Sequence, residues 1–289
     1  MSGAPIEISV IIPSYNRKDC MLTLLHDLQR QEGVIFEVIV VDDCSTDGSS
    51  DAIAAEFPGI TLLRNETNGG PCVTRNRGIQ TARGKLIVGF DSDVTLPDVK
   101  LLKKTCAAFG ENTNATGFAF RLLRPDGLTD DEERWWHPKT IASHAERFFE
   151  TNYFSGTAYA FRRAPLVEAG LYPELLYMHY EEVVLSHQVR ARNGHIFYQP
   201  ALTAVHHAKP TSRRSRIQTF YKPRNQILTG VMCFSGLSAI RYLVPRLVFQ
   251  FVTAVIRHHT REYFEALVSA FAMLPAALAF RTADREAAK

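Results

Sequence analysis

The stretch Lys85-Leu-Ile-Val-Gly-Phe-Asp-Ser-Asp93 indicates the fold class of this chain. Its apolar run over residues 86–90 is short and continuous, as in the buried strands of parallel sheets. The run ends in two carboxylates, Asp91 and Asp93. Because ligands of open α/β sheets bind outside the carboxyl ends of the strands, we expect both acids at the mouth of a site. Such acids can hold a divalent cation, and they are also common as turn or helix-capping residues.

The sequence before this stretch alternates strand and helix. Residues 8–12, 36–41 and 60–63 are short apolar runs, and each is predicted to be a strand. After the first of them, apolar side chains recur at helical spacing over residues 19–31. Repeated alternation of this kind is typical of a doubly wound α/β sheet. Further along the chain, a helix is predicted over residues 97–109 and a short strand over residues 195–199, which Pro200 ends.

Polar side chains follow three of the predicted strands. Tyr15 comes after the first strand, Asp42 and Asp43 end the second, and the acids at 91 and 93 end the fourth. Their convergence predicts a site for a ligand with a flat ring, several hydroxyls and a negative charge, such as a nucleotide joined to a sugar. The sequence has no Gly-x-Gly-x-x-Gly after the first strand and no P-loop motif. A diphosphate is therefore expected to be neutralised by a metal that acids hold.

Composition restricts the class of protein. Apolar residues make up 46% of the 289 residues and charged residues 22%, which is ordinary for a soluble folded chain. The net charge of +3 is too small to indicate a nucleic-acid partner. The five cysteines are odd in number and include no Cys-x-x-Cys pair, which argues against a disulfide framework or zinc site. Because the N-terminus also lacks the pattern of a signal peptide, we expect a cytoplasmic protein.

The chain carries five polar or glycine-containing segments in a set order, at residues 9–17, 41–49, 68–70, 75–78 and 90–93. In order and spacing they resemble family 2 glycosyltransferases, and in particular their bacterial rhamnosyltransferase-like branch. The likeness covers roughly residues 6–210. It implies the GT-A (nucleotide-diphospho-sugar transferase) fold, a doubly wound mixed sheet, together with nucleotide-diphosphate sugar donors and inversion at the anomeric carbon. The segments are Ser9-Val-Ile-Ile-Pro-Ser-Tyr-Asn-Arg17, Val41-Asp-Asp-Cys-Ser-Thr-Asp-Gly-Ser49, Asn68-Gly-Gly70, Arg75-Asn-Arg-Gly78 and Phe90-Asp-Ser-Asp93.

The resemblance implies how the donor is bound. Tyr15 would pack against the base, Asp43 with Asp42 beside it would accept a hydrogen bond from the base, and Arg75 would contact the nucleotide. Two alternatives stay open: Asp42 as a helix-capping acid and Arg75 as a surface arginine. The full set of expected donor-binding residues is Pro13, Tyr15, Asn16, Asp42, Asp43, Gly69, Arg75, Asp91, Ser92 and Arg224.

The resemblance also implies a metal site for Mg²⁺ or Mn²⁺. Asp93 is the first choice of ligand, with Asp91 nearer the ribose. His206, in preference to His207, would complete the site, and the alternative is a structural histidine in the sheet. Neutral imidazole suits Mn²⁺ better than Mg²⁺.

The expected catalytic base follows the segment beginning at His179. Family members carry a Glu-Asp pair here, whose second acid deprotonates the acceptor hydroxyl; this chain has Glu181-Glu182. Glu182 is our choice of base, with Glu181 in reserve. The alternative is that both acids only favour the first turn of a helix. One protein carboxylate suffices for an inverting transfer, whereas a retaining glycosidase needs two that flank the bond.

Three further features carry open alternatives. Trp135 and Trp136 either line an acceptor cleft or pack at a domain edge. Gly156 either lets substrate approach the backbone or is a plain strand glycine. The arginines at 213, 214, 216 and 224 either clamp the diphosphate, or close a lid over it, or form a solvated face.

The C-terminal part, residues 231–289, is predicted to be an amphipathic helical extension of a GT-A domain that spans residues 1–230. That domain would comprise a nucleotide-binding half (1–97) and an acceptor half (98–230). The uncharged stretches 247–256 and 266–280 are shorter than the roughly 20 residues that span a bilayer. Interspersed basic residues suit a helix lying on an anionic membrane, with contact over residues 239–280 at its cytoplasmic face. A homodimer interface, or a helix packed back on the domain, are the alternatives.

The sequence thus predicts a metal-dependent, inverting hexosyl- or deoxyhexosyl-transferase. Its acceptor would be a sugar or a lipid-linked glycan, and its product a polysaccharide or glycoconjugate. A catalytically inactive nucleotide-sugar-binding or scaffold protein of the same fold is the alternative.

Overall fold

The computed structural model describes residues 5–207 and 212–288, with side chains for 5–207 and 216–288. Within these residues, nine strands form one mixed sheet in the order β3-β2-β1-β4-β8-β6-β9-β5, with β7 paired to β9. The strands are β1 Ile8–Ser14, β2 Phe36–Asp42, β3 Thr61–Arg64, β4 Leu86–Phe90, β5 Val94–Thr95, β6 Ala115–Leu123, β7 Phe149–Thr151, β8 Ala158–Arg162 and β9 His195–His206.

The sheet is covered by helices on both faces, as the alternation of strand and helix predicts. The helices are α1 Lys18–Gln29, α2 Ser49–Glu56, α3 Gly70–Thr81, α4 Leu101–Glu111, α5 Ile141–His144, α6 Arg163–Glu168, α7 Glu181–Ala191, α8 Ser212–Cys233, α9 Gly236–Ile256 and α10 Thr260–Ala287. In β1, Val10 and Ile12 pack with α1, α2 and α4, whereas Ile11 packs with α3 and α7. Both faces of β1 are therefore buried, which explains its continuous apolar run.

One antiparallel strand brings the two halves of the sheet to the same edge. Strands β3, β2, β1 and β4 are parallel, and β8 then runs antiparallel between β4 and β6. The beginning of β8 consequently lies beside the end of β4, where Asp91 N donates to Thr157 O at 3.0 Å. The loop before β8 thus lies at the edge where the acids of β4 emerge.

Two predicted boundaries are wrong. Strand β9 continues through Pro200, which was expected to end it at residue 199. The pairing of β9 with β6 shifts between Gln199 and Thr203, so the proline lies in a bulge where its missing N–H is tolerated. The helix expected from residue 97 begins at Leu101 because the short strand β5 comes first.

The C-terminal helices pack partly against the rest of the protein. Helix α8 runs through residue 230 to Cys233, and α10 returns alongside α8. Helix α10 also meets the residue that follows α7, because Arg192 Nη1 bonds Asp284 Oδ1 at 2.7 Å. Helices α9 and α10 are each long and apolar enough, by length and composition, to cross a membrane. The expectation that these segments are too short is wrong, because it counted only charge-free stretches.

Candidate active site

Asp42 and Asp43, at the end of β2, have their carboxylates occupied by neighbouring loops. Asp43 Oδ1 accepts from Gly69 N at 3.0 Å, and its Oδ2 accepts from Gly70 N at 2.8 Å. Asp42 Oδ2 accepts from Ser50 Oγ at 2.6 Å in full burial. Both acids therefore hold the loops that surround the expected base site, and Asp42 matches the alternative of a structural acid.

The loop after β1 lies against the loop after β2. Asn16 Oδ1 accepts from Thr46 N at 2.8 Å, and Asn16 itself adopts a left-handed backbone with φ 52°. Tyr15 is 45% exposed, so its ring is available to a ligand. Pro13 lies within β1, in register with Val41 of β2. These positions suit the expected packing of Tyr15 against a nucleotide base.

Arg75 is the centre of a buried ion network, contrary to the alternative of a surface arginine. Its Nη2 donates to Asp91 Oδ1 at 2.7 Å, and its Nη1 to Glu181 Oε1 at 3.1 Å. The residue is only 4% exposed. A single guanidinium thus joins the acids at the end of β4 to the acids at the start of α7, and Arg75 itself lies 106 positions from Glu181 in the chain.

The two glutamates of α7 differ in surroundings. Glu181 is buried, and this burial together with the charge of Glu182 raises the pKa of Glu181 to about 8. Glu182 is partly exposed, and its Oε1 accepts from Gly156 N at 3.1 Å. Burial also raises the pKa of Glu182, although the positive charge of Arg75 opposes this. These shifts favour a state at neutral pH in which Glu181 is protonated and Glu182 is not. Glu182 is then the carboxylate that a ligand can reach.

Gly156 permits this arrangement because it has no side chain. A Cβ on Gly156 would lie 2.4 Å from Glu182 Oε1 and 2.8 Å from Arg75 Nη2. The groups that come close to the backbone of Gly156 in this structure are therefore the side chains of Glu182 and Arg75.

Asp93 and His206 face each other across a gap. His206 Nε2 lies 3.8 Å from Asp93 Oδ1, too far for a hydrogen bond. His206 Nδ1 bonds Asp131 Oδ2 at 2.7 Å, which fixes the ring with Nε2 toward Asp93. A carboxylate oxygen and an imidazole nitrogen turned toward each other are a donor pair that suits Mn²⁺, and Asp93 and His206 would hold such a cation from the protein side.

The protein alone does not supply a complete metal shell in the part of the chain that the structure describes. No group of three or more His, Cys, Asp or Glu side chains there is arranged to hold a metal. Asp91 has partners on both oxygens, Arg75 and Thr157 Oγ1. Asp93 and His206 would therefore hold a cation only together with ligands from outside the protein, as is common for Mg²⁺ with phosphorylated substrates.

Arg224 lies away from this gap. Its Nη2 donates to Leu176 O at 2.7 Å, its Nε donates to Asn225 Oδ1, and its guanidinium stacks on the ring of Tyr221. These contacts hold the turn before α7. The expected contact of Arg224 with the diphosphate stays a prediction. The side chains of Arg213 and Arg214 lie outside the described residues.

Several residues at the site were not assigned from the sequence. Arg17 Nη1 lies 3.9 Å from Asp93 Oδ2, and its side chain is 42% exposed. Asp131 and Thr157 support His206 and Asp91 from loops distant in sequence. Of these three residues, only Arg17 could have been found from the sequence, because it directly follows Tyr15 and Asn16 in the first segment. Ser92, between the two acids of β4, is buried.

The model of the family described as Glycosyl transferase family 2 matches residues 9–170, more than half of the chain. This chain belongs to glycosyl transferase family 2. The region that it matches includes β1 to β4 and the acids at 91 and 93. The family resemblance that the sequence motifs carry is therefore confirmed.

Curated relatives match over parts of their length. The putative teichuronic acid biosynthesis glycosyltransferase TuaG of Bacillus subtilis is 34% identical over 130 residues, which cover 43% of this chain and 51% of TuaG. An uncharacterized glycosyltransferase of Haemophilus influenzae is 43% identical over 86 residues, which cover 30% of this chain and 29% of the relative. The matched segments thus span about half or less of these relatives.

Solved structures share the fold over nearly the whole chain. Residues 1–349 of TarS from Staphylococcus aureus, in complex with UDP-GlcNAc, superpose with a TM-score of 0.63 at 20% identity, covering 95% of this chain and 84% of that TarS fragment. The mannosyltransferase PcManGT from Pyrobaculum calidifontis, in complex with GDP-Man and Mn²⁺, has a TM-score of 0.63 at 18% identity and covers 99% of this chain and 88% of PcManGT. The protein has the GT-A fold.

Proposed function

We propose that this protein transfers a sugar from a nucleotide-diphosphate donor to a hydroxyl of an acceptor, with inversion. The observation that carries the proposal is the bridge made by Arg75. It bonds Asp91 at 2.7 Å and Glu181 at 3.1 Å, so the donor acids and the catalytic acids share one edge of the sheet. The sugar is a hexose or deoxyhexose if the chain belongs to the rhamnosyltransferase-like branch.

Glu182 is the proposed general base. It takes the proton from the acceptor hydroxyl as that oxygen bonds to the anomeric carbon, and the bond from this carbon to the diphosphate breaks. A base is needed because a sugar hydroxyl is a poor nucleophile at neutral pH. The N–H of Gly156 and the charge of Arg75 stabilise the carboxylate form of Glu182.

Asp93 and His206 are the proposed protein ligands of Mg²⁺ or Mn²⁺, and Asp91 supports them from the Arg75 network. When bound, the cation neutralises the charge that develops on the departing diphosphate. Tyr15 packs on the base, and Arg17, near Asp93, adds positive charge beside the phosphates. The loops that Asp42 and Asp43 hold complete the walls of the donor site.

Thermal shift against a panel of nucleotide sugars, with and without Mn²⁺, tests this function. A ligand that binds the native state raises its melting temperature. We expect stabilisation by at least one uridine, guanosine or deoxythymidine diphosphate sugar, enhanced by Mn²⁺. Stabilisation without turnover on any acceptor would instead favour the inactive scaffold, and no stabilisation would contradict both.

We also propose that the protein works in the cytoplasm, against the inner face of the membrane, and that residues 231–289 serve this contact. The apolar side chains of α9 and α10 meet at Phe251 and Phe264, whose rings are 6.2 Å apart, and many stay exposed. Val248, Phe249 and Val268 are 58%, 66% and 71% exposed. The basic residues nearby, Arg241, Arg246, Arg257 and Arg261, favour anionic lipid.

Sedimentation with vesicles of phosphatidylglycerol, compared with phosphatidylcholine, tests the membrane contact. We expect binding to the anionic vesicles that weakens with salt and is lost in Phe249→Asp. A homodimer in solution that Phe249→Asp converts to a monomer, without vesicle binding, would instead assign this surface to a second copy of the chain.

A further inference from the structure

The two adjacent tryptophans have different environments. Trp135 packs into an aromatic cluster, with ring centroids 4.8 Å from His137 and 5.0 Å from Tyr198. Trp136 is instead 44% exposed. The structure therefore gives the two tryptophans different roles, which the sequence did not distinguish. Trp135 is a packing residue, and Trp136 presents an aromatic surface to solvent.

Trp136 is held firmly despite its exposure. Its Nε1 donates to Glu133 O at 3.1 Å, and its ring stacks on Tyr153 with centroids 5.6 Å apart and planes at 23°. The ring of Tyr180 lies 5.7 Å away. An exposed indole fixed at its edge and supported from behind is a preorganised contact surface, because little side-chain freedom is left to lose when a ligand binds.

This surface adjoins the proposed base. Tyr180 directly precedes Glu181 and Glu182 at the start of α7. Tyr153 lies on the loop that also carries Gly156, whose N–H bonds Glu182 Oε1 at 3.1 Å. The pKa of Tyr153 is raised by burial and then by the negative charge of Glu182, in agreement with their proximity. One short loop therefore supports Trp136 through Tyr153 and orients the base through Gly156.

We propose that Trp136, supported by Tyr153, is the platform on which a pyranose ring of the acceptor stacks, so that the acceptor is a saccharide. The inference rests on the proposed function for the identity of the base. The C–H face of a pyranose matches an aromatic face, while the hydroxyls at its rim stay free for hydrogen bonds and for deprotonation by Glu182.

The chain offers a direct optical test, because it has only two tryptophans. Trp135→Phe leaves Trp136 as the sole indole, and its emission is followed while methyl glucoside, galactoside, mannoside and N-acetylglucosaminide are added to the full chain. We expect at least one pyranoside to shift the emission and to protect Trp136 from iodide quenching. Glycerol, a polyol without a ring, should do neither.

Matched variants separate binding from folding. Trp136→Ala should raise the Kd for the active pyranoside about tenfold, measured by calorimetry, while stabilisation by the nucleotide sugar persists. Trp135→Phe should bind the pyranoside like the wild type. If Trp135→Phe does not fold, iodide quenching of the wild type gives the same answer, because Trp136 is the more exposed indole.

Two results would overturn the platform. One is that no pyranoside alters the emission or quenching of Trp136; the other is that Trp136→Ala binds the active pyranoside as tightly as the wild type. These titrations need no donor. A failure of the proposed function, seen as a lack of stabilisation by any nucleotide sugar, therefore remains distinguishable from a failure of the platform.

Discussion

Strands β2 and β4 flank β1, and each ends in a pair of acids, but the two pairs do different work. At β2, Asp43 accepts hydrogen bonds from the backbone of Gly69 and Gly70, so its carboxylate is saturated. At β4, Asp93 has its closest cations or imidazoles at 3.8 and 3.9 Å. A carboxylate saturated by backbone N–H groups supports a loop, whereas an under-coordinated one can take a ligand.

The largest expected effect is at Glu182. Glu182→Gln should lower kcat by about 10²–10⁴-fold, since the amide cannot accept the hydroxyl proton, while donor binding persists. Kinetics with the identified acceptor and thermal shift with the donor measure the two effects. Glu181→Gln is the matched control and should lose less, because Glu181 already holds a proton at neutral pH. The reverse order of losses would make Glu181 the base.

The variants Asp43→Asn and Asp93→Asn test whether the acids that follow β2 and β4 have different roles. Asp43→Asn turns an amide toward a buried N–H donor, and should cost about 1–3 kcal/mol of stability. Asp93→Asn should keep the melting temperature of the wild type but lose the enhancement of donor binding by Mn²⁺. Equal melting temperatures for wild type and both variants would contradict the distinction between a saturated and an under-coordinated pair.

A variant at Asp131 tests whether His206 belongs to the metal site. Asp131→Asn leaves a side chain of the same size but no longer accepts the imidazole proton as a carboxylate does, so His206 is held less firmly toward Asp93. We expect Mn²⁺ affinity in the presence of nucleoside diphosphate, followed by electron paramagnetic resonance, to fall about 10–100-fold. Asp130→Asn, at the adjacent position where the carboxylate bonds Arg121, is the control and should keep the affinity. An unchanged affinity in Asp131→Asn would remove His206 from the metal site.

The last test concerns the pH dependence of stability. The folded-state pKa of Glu181 is raised from 4.5 to about 8, so below pH 4.5 both the folded and the unfolded states hold the proton. As the pH rises toward 8 the unfolded chain loses this proton first, and stability falls. Glu181→Gln has no proton to lose there, so its melting temperature should decline less than that of the wild type between pH 5 and about 8. An equal decline in melting temperature with pH for the wild type and Glu181→Gln would contradict the raised pKa of Glu181.

Local sequence predicted the parallel half of the fold well. Continuous apolar runs such as 8–12 and 86–90 can only be buried on both faces, and their strands are confirmed. The bulge at Pro200 was missed because a proline normally ends a strand, and here a register shift removes the need for its N–H. The length of α9 and α10 was missed because exposed basic residues interrupt an otherwise apolar helix.

The sequence by itself determined the alternating α/β class, the ends of the parallel strands and the acids they carry, because these follow from short-range pattern and spacing, and its motifs indicated the family by resemblance. Only the tertiary structure decided how those acids are used. The saturation of Asp43, the burial of Arg75 between Asp91 and Glu181, and the orientation of His206 by Asp131 all join residues far apart in the chain. Whether a side chain keeps a free lone pair depends on which distant group packs against it, and local sequence carries no record of that partner.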